Sequence, residues 1–283
     1  MQILKAINNN VVSCMDAAGQ ELVVMGRGLG FNARPGEAPD PAKIEKIFRM
    51  ENQQETDRLK HLLASLPPEQ IELCTRIIAY ATETLNKRLN ENVYLTLTDH
   101  VCFAISRKQQ GACFENELLP EVRTFYPGEF AVGRYALTLI EQELGVSFPD
   151  DEAASIALHL VNAEYGTPFS DTMHRAQALH DMVAALHRFP ELGLREDSSY
   201  YDELIIHLKF LALRAFSGEA EPPREDALVR MVSVSYPQEY ACAQRLLRLL
   251  EQAAERPFAP EQAAYLTLYI HRAARLPENK ART

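Results

Sequence analysis

The spacing of apolar residues divides the chain into two unlike parts. Up to about residue 50 the apolar positions come in short runs, Val11-Val12 and Leu22-Val23-Val24, separated by Asn8-Asn9-Asn10 and Ala18-Gly19-Gln20. Apolar runs bounded by turn-forming residues predict strands joined by tight turns, and so a small antiparallel sheet. The segment Gly26-Arg27-Gly28-Leu29-Gly30-Phe31 and the Pro/Gly-rich stretch from Arg34 to Pro41 predict loop, with a last short strand at 44–48. From Glu55 the period becomes helical. Leu59, Leu62, Leu63 and Leu66 recur at three and four, Pro67-Pro68 interrupts, and a second helix carries Ile71, Leu73, Ile77, Ile78, Ala81 and Leu85. The same period predicts helices near 95–108, 128–144, 150–165, 172–188, 200–217, 224–234, 238–254 and 260–275.

The helical part repeats itself. Tyr126-Pro127-Gly128-Glu129-Phe130 returns as Tyr236-Pro237-Gln238-Glu239-Tyr240, an offset of 110 that also carries Ile140-Glu141-Gln142 onto Leu250-Glu251-Gln252, Phe148 onto Phe258 and Leu158 onto Leu268. Upstream the offset is 107, taking His100, Phe103 and Arg107 onto His207, Phe210 and Arg214. Two homologous helical domains in tandem follow, at about 67–170 and 171–283. With a β domain over 1–56, the expected fold is multidomain: a small antiparallel sheet, then two homologous all-α helical bundles. A length of 283 residues accommodates this, at roughly 100 to 150 residues per domain.

Charge narrows the functions. The chain holds 29 basic and 39 acidic residues, net −10, which argues against coating nucleic acid or anionic membrane by bulk charge. Any nucleic-acid contact is therefore local. Residues 1–36 carry Lys5, Arg27 and Arg34 against Asp16 and Glu21, so this segment is +1 and the remainder −11. Five scattered cysteines without a CxxC pair indicate neither a disulfide framework nor a cysteine zinc site, which fits a reducing cytoplasm. No signal peptide and no membrane span are expected.

The glycine-rich segment raises a phosphate-loop reading, but such loops lead into a helix N-terminus, and here a Pro/Gly-rich loop follows. Its other reading is an RNA contact: glycines allow close backbone approach, Arg27 offers a guanidinium, Phe31 a stacking face, and Asn8 and Asn10 amides that read base edges. The plainer alternative is that Asn and Gly serve the turns. Among eight histidines, His100 and His207 lie on helices at matching repeat positions and His159 is similar, although the repeat sets Tyr269, not His271, against His159. A hydrogen-bonded core role is the ordinary explanation for each, and repeated placement sets a functional role level with it. No pair at (i, i+4) suits a metal, and His174, His180 and His187, six and seven apart, read as a solvated face. Nucleophile and nucleotide motifs are absent, so no catalytic residue, metal or cofactor is assigned and an enzyme is not expected.

The strings Ile7-Asn8-Asn9-Asn10-Val11-Val12, Met25-Gly26-Arg27-Gly28-Leu29-Gly30-Phe31, Leu97-Thr98-Asp99-His100 and Ala157-Leu158-His159-Leu160, in this order, resemble the BglG/LicT/SacY transcriptional antiterminators over essentially the whole chain. The resemblance implies a dimeric co-antiterminator domain that binds an RNA hairpin in the leader of a sugar-utilisation transcript and prevents terminator formation. Two PTS-regulation domains, phosphorylated on histidine by the phosphotransferase system, would follow. It implies RNA contact through Asn8, Asn10, Gly26, Arg27 and Phe31, with Lys5 as a further candidate, and phosphate acceptance by His100, His159 and His207. The partners implied are the leader mRNA hairpin, HPr, the cognate sugar permease and a second copy of the chain, with no DNA and no membrane insertion. By the same resemblance, phosphate on His100 or His159 comes from the permease and inhibits, while phosphate on His207 comes from HPr and activates. Asp99 is expected to position the acceptor ring, and Arg107 and Arg214 to serve as counter-charges. The family's second histidine in the last helix is replaced by Tyr269, and His271, two residues on, is expected to project from nearly the opposite face. Two other readings compete: a helical docking scaffold with a sheet that merely dimerises, and a histidine-metal hydrolase.

Overall fold

The computed structural model describes residues 1–112, 114–166, 169–217 and 226–274; Cys113, the start of the 224–234 helix and position 275 lie outside them. Four antiparallel strands, β1 (Gln2–Ala6), β2 (Val11–Met15), β3 (Glu21–Met25) and β4 (Lys46–Phe48), form a sheet in the order β1-β2-β3-β4. Strand β1 was not visible in the apolar pattern because only Ile3 on it is buried.

Both faces of this sheet are covered, which explains why its central strands read as continuous apolar runs and not as alternation. On one face Val11, Val23, Met25 and Phe48 meet Leu59 and Leu63 of α1 (Gln53–Ser65), Ile71 of α2 (Pro68–Leu85), and Tyr94 and Leu95 of α3 (Val93–Gln109). On the other, Ile3, Val12, Cys14, Leu22 and Val24 pack under Leu29, Ala33 and Ile44 of the loop between β3 and β4. Asn52 caps α1 by accepting from the Glu55 N–H, and Pro68 starts α2 at a position whose N–H has no helical partner.

The remaining helices are α4 (Leu119–Phe125), α5 (Pro127–Leu144), α6 (Asp150–Tyr165), α7 (Phe169–Leu186), α8 (Ser199–Ala215), α9 (Asp226–Ser235), α10 (Pro237–Ala254) and α11 (Pro260–Ala273). The described residues fall into two compact units, one made of those up to 119 together with 126–166, the other of 120–125 together with those from 169 to 274. In the first, α2 packs on α3 and α5, α3 on α6, and α5 on α6. In the second, α7 packs on α8 and α10, α8 on α11, and α10 on α11. The repeat thus folds twice into the same arrangement. Helix α4 had no counterpart in the sequence expectation. Its residues Pro120–Phe125 belong to the second unit, where Glu121 accepts from His180 Nδ1 at 2.7 Å and the Phe125 carbonyl accepts from Lys209 Nζ at 2.6 Å. The contact also corrects the solvated face expected for His180, which is half-buried against a buried carboxylate.

Candidate RNA interface and histidine sites

The Asn8-Asn9-Asn10 turn and the glycine loop are bonded into one surface. The Gly26 N–H donates to the Asn10 carbonyl at 2.8 Å, the Gly28 N–H to Asn10 Oδ1 at 2.8 Å, and the Gly30 N–H to the Asn9 carbonyl at 2.9 Å. Gly28 has φ +66°, a conformation that favours glycine. Gly26 is required for another reason: a Cβ there would run into the carbonyl of Lys43.

Asn8, Asn10, Gly26 and Arg27 line one small cleft, together with Glu45 and with Ile71 and Glu72 of α2. Phe31 stands apart on the loop, 67% exposed, an apolar ring that the fold itself does not use. Lys5 is exposed on β1 and faces a different groove, shared with Asp57, Lys60 and His61. Asn8 is partly committed within the chain: its Oδ1 accepts from the Asn10 N–H and its Nδ2 donates to the Leu63 carbonyl of α1, both at 2.9 Å.

The histidines meet in ring pairs at the same place in each unit. His100 on α3 and His159 on α6 lie with centroids 4.7 Å apart; His207 on α8 and Tyr269 on α11 stack at 4.2 Å and 18°. Three residues beyond each α3 or α8 histidine an exposed phenylalanine follows, Phe103 or Phe210, with Arg107 or Arg214 over its ring. Burial disfavours the protonated rings. It lowers His159, only 9% exposed, to about 3, with the neighbouring His100 adding to the shift. It lowers His207 to about 4, with the Arg214 charge contributing. Both are neutral imidazoles with a nitrogen lone pair at cellular pH.

The residue that holds His100 is not Asp99, which is exposed. Buried Glu152 of α6 accepts from His100 Nε2 at 3.2 Å, and its other oxygen accepts from Arg107. Sequence reasoning missed Glu152 because Asp150-Asp151-Glu152 reads as ordinary acidic decoration of a helix N-terminus. The offset of 110 puts Gln262 at the matching place in the second unit, also buried. Among the described residues His207 Nε2 is buried without a hydrogen-bond partner.

His271 lies away from the ring pair. Its Nδ1 donates to Glu239 at 2.9 Å and its ring packs on Tyr236 at 4.0 Å, so it is half-buried and tied down. Among the described residues no group of three or more His, Cys, Asp or Glu is placed to hold a metal, and no helix is long and apolar enough to cross a membrane.

Known proteins carry the same arrangement. The family model for the CAT RNA binding domain matches residues 1–57, and that for the PRD domain matches 75–163 and again 181–273. Transcription antiterminator LicT of Bacillus subtilis (strain 168) is 38% identical over 272 residues, 96% of this chain and 98% of its own length. The Beta-glucoside operon antiterminator of Dickeya chrysanthemi is 37% identical over 272 residues, 96% of each chain. The crystal structure of GlcT CAT-PRDI aligns at a TM-score of 0.52 and 30% identity, covering 58% of this chain and 97% of that one. A sheet with a glycine-loop face is thus followed by two helical repeats, each with a ring pair, His100 with His159 in the first and His207 with Tyr269 in the second. The chain belongs to the transcription antiterminators built from a CAT RNA binding domain and two PRD domains.

Proposed function

We propose that this chain is a sugar-responsive antiterminator: as a dimer it binds a hairpin in the leader of a sugar-utilisation mRNA and prevents the overlapping terminator from forming. Residues 1–56 act as the RNA-binding module, 67–170 and 171–283 as the two regulatory modules. Arg27 and Asn10 approach the RNA from the cleft, Phe31 stacks on an unpaired base, and Lys5 and Asn8 contribute at the margins. The histidines take phosphate from the phosphotransferase system, His100 and His159 from the sugar permease and His207 from HPr, in the cytoplasm. A neutral imidazole nitrogen attacks phosphorus, and the phosphoramidate it forms stays labile enough to be handed back. The donor supplies the catalysis.

The observation that carries this reading is the pairing of an exposed, unused aromatic in a glycine loop with two histidine rings, His100 and His207, at matching places in the repeats. It fits a protein with a nucleic-acid output and a phosphorylation input better than a docking scaffold, which needs neither. The test combines both functions. The chain should bind the leader hairpin of its own operon and should acquire acid-labile phosphate from phosphorylated HPr. Lack of both responses would remove the proposal. His207→Asp should favour the RNA-binding dimer and His100→Asp oppose it; the reverse result would exchange the two inputs.

A further inference from the structure

Asn8 uses both ends of its side chain within the fold. Its Nδ2 donates to the Leu63 carbonyl at 2.9 Å, and its Oδ1 accepts from the Asn10 N–H at 2.9 Å. Leu63 lies in the last turn of α1, where its carbonyl would ordinarily accept from the N–H of residue 67, a proline that has none. Asn8 therefore caps α1 from the sheet. From Asn10 the bonds run on: its Oδ1 accepts from the Gly28 N–H at 2.8 Å, and the Gly28 carbonyl accepts from the Phe31 N–H at 3.3 Å. One unbroken line thus joins the end of α1 to the loop that carries Arg27 and Phe31. We infer that Asn8 is a positioning residue that couples α1 to this loop, so that the first regulatory repeat acts on RNA binding through it.

The other end of the line reaches His100. Helix α3, which carries His100, sets Tyr94 and Leu95 against the cluster that holds Leu59 and Leu63 of α1. They precede His100 by six and five residues, roughly 8 Å along the same helix. All of these side chains belong to the first compact unit. A helix moves as a body, and a close-packed interior has discrete arrangements in place of a continuum. A phosphoryl group that displaces α3 at His100 therefore displaces Tyr94 and Leu95, the α1 end packed against them, and the carbonyl that the Asn8 amide holds. Asn10 and Gly28 follow on the same bonds. This rests on the glycine loop being the RNA face and on His100 taking phosphate, and it gives Asn8 a task other than touching RNA.

Hairpin affinity would be measured for the full-length chain with and without His100→Asp, in wild-type, Asn8→Ser and Asn8→Asp backgrounds, with thermal melting to establish that each variant is folded. Serine keeps an acceptor for the Asn10 N–H and is too short to reach Leu63; aspartate keeps the shape and the acceptor but cannot donate. The aspartate charge lowers affinity by itself, so the quantity read is the ratio of affinities without and with His100→Asp in each background. In wild type the ratio should be about tenfold, and in both Asn8 variants it should fall to about twofold or less. A direct RNA contact predicts a different pattern: Asn8→Ser loses affinity by about five- to 150-fold and the ratio keeps its wild-type value. That pattern, or a wild-type ratio in either variant, would overturn the coupling role. If the wild-type chain bound the hairpin but ignored His100→Asp, the phosphate input would fall and this inference with it. A chain that bound no hairpin would fail already as an antiterminator, and Asn8 would have nothing to couple.

Discussion

Replacing Phe31 by alanine separates RNA affinity from folding, because this ring is large, apolar and outside the core. At 67% exposure its removal leaves no cavity, so the thermal stability of the chain should change by no more than about 0.5 kcal/mol. A base stacked on the ring is worth roughly 1 to 3 kcal/mol, which predicts a fivefold to 150-fold loss of affinity for the leader hairpin. Phe48 provides the contrast. It is 2% exposed between the sheet and α1, and alanine there should cost about 3 to 5 kcal/mol of stability. Phe31→Leu should lie between wild type and Phe31→Ala, since it keeps apolar area and removes the aromatic face. Hairpin affinity would be read by fluorescence anisotropy at one fixed salt concentration and stability by thermal denaturation. Wild-type affinity in Phe31→Ala would refute the stacking role. A loss accompanied by a matching fall in melting temperature would show that Phe31 serves the fold instead.

Three further outcomes follow from the geometry. Gly26→Ala drives a methyl into the Lys43 carbonyl, so it should destabilise the sheet by about 2 kcal/mol or more, measured by denaturant titration; a neutral result would free Gly26 for a direct RNA role. His159 is held neutral while the unfolded ring protonates below its usual value of 6.5, so stability is lost as pH falls from there toward about 3. The loss should reach about 2 kcal/mol by pH 5, and His159→Gln should abolish that pH-dependent part; an unchanged profile would disprove the buried neutral ring. Phosphopeptide mapping after reaction with HPr should find label on the peptide containing His207 and none on that containing His271, which Glu239 and Tyr236 occupy; label on His271 would break the repeat alignment at its end.

The helical repeats were legible because burying one face of a helix imposes a period on the sequence, and duplication wrote that period twice. The two offsets matched His207 to His100 and Tyr269 to His159, while the meeting of the rings within each unit came from the fold. Strand β1 and helix α4 escaped for the opposite reason: each buries too few side chains to impose a period. At the proposed RNA face the residue types were readable, but their division of labour was not. Gly26 answers to a backbone passing above it, and Asn8 to a carbonyl 55 positions away, contacts that leave no local signature. Glu152 is the clearest case. Three acidic residues open α6 alike, and only the tertiary packing turns the third one inward onto His100 and Arg107.

The most direct test is transcription in vitro across the chain's own leader and terminator, scored as the fraction of transcripts that read through. Unmodified protein should raise read-through, Phe31→Ala should remove most of the gain, His207→Asp should increase it, and His100→Asp should return it to the level without protein. Read-through that is indifferent to the protein, or that responds to the protein but ignores every histidine substitution, would contradict an antiterminator controlled through these rings.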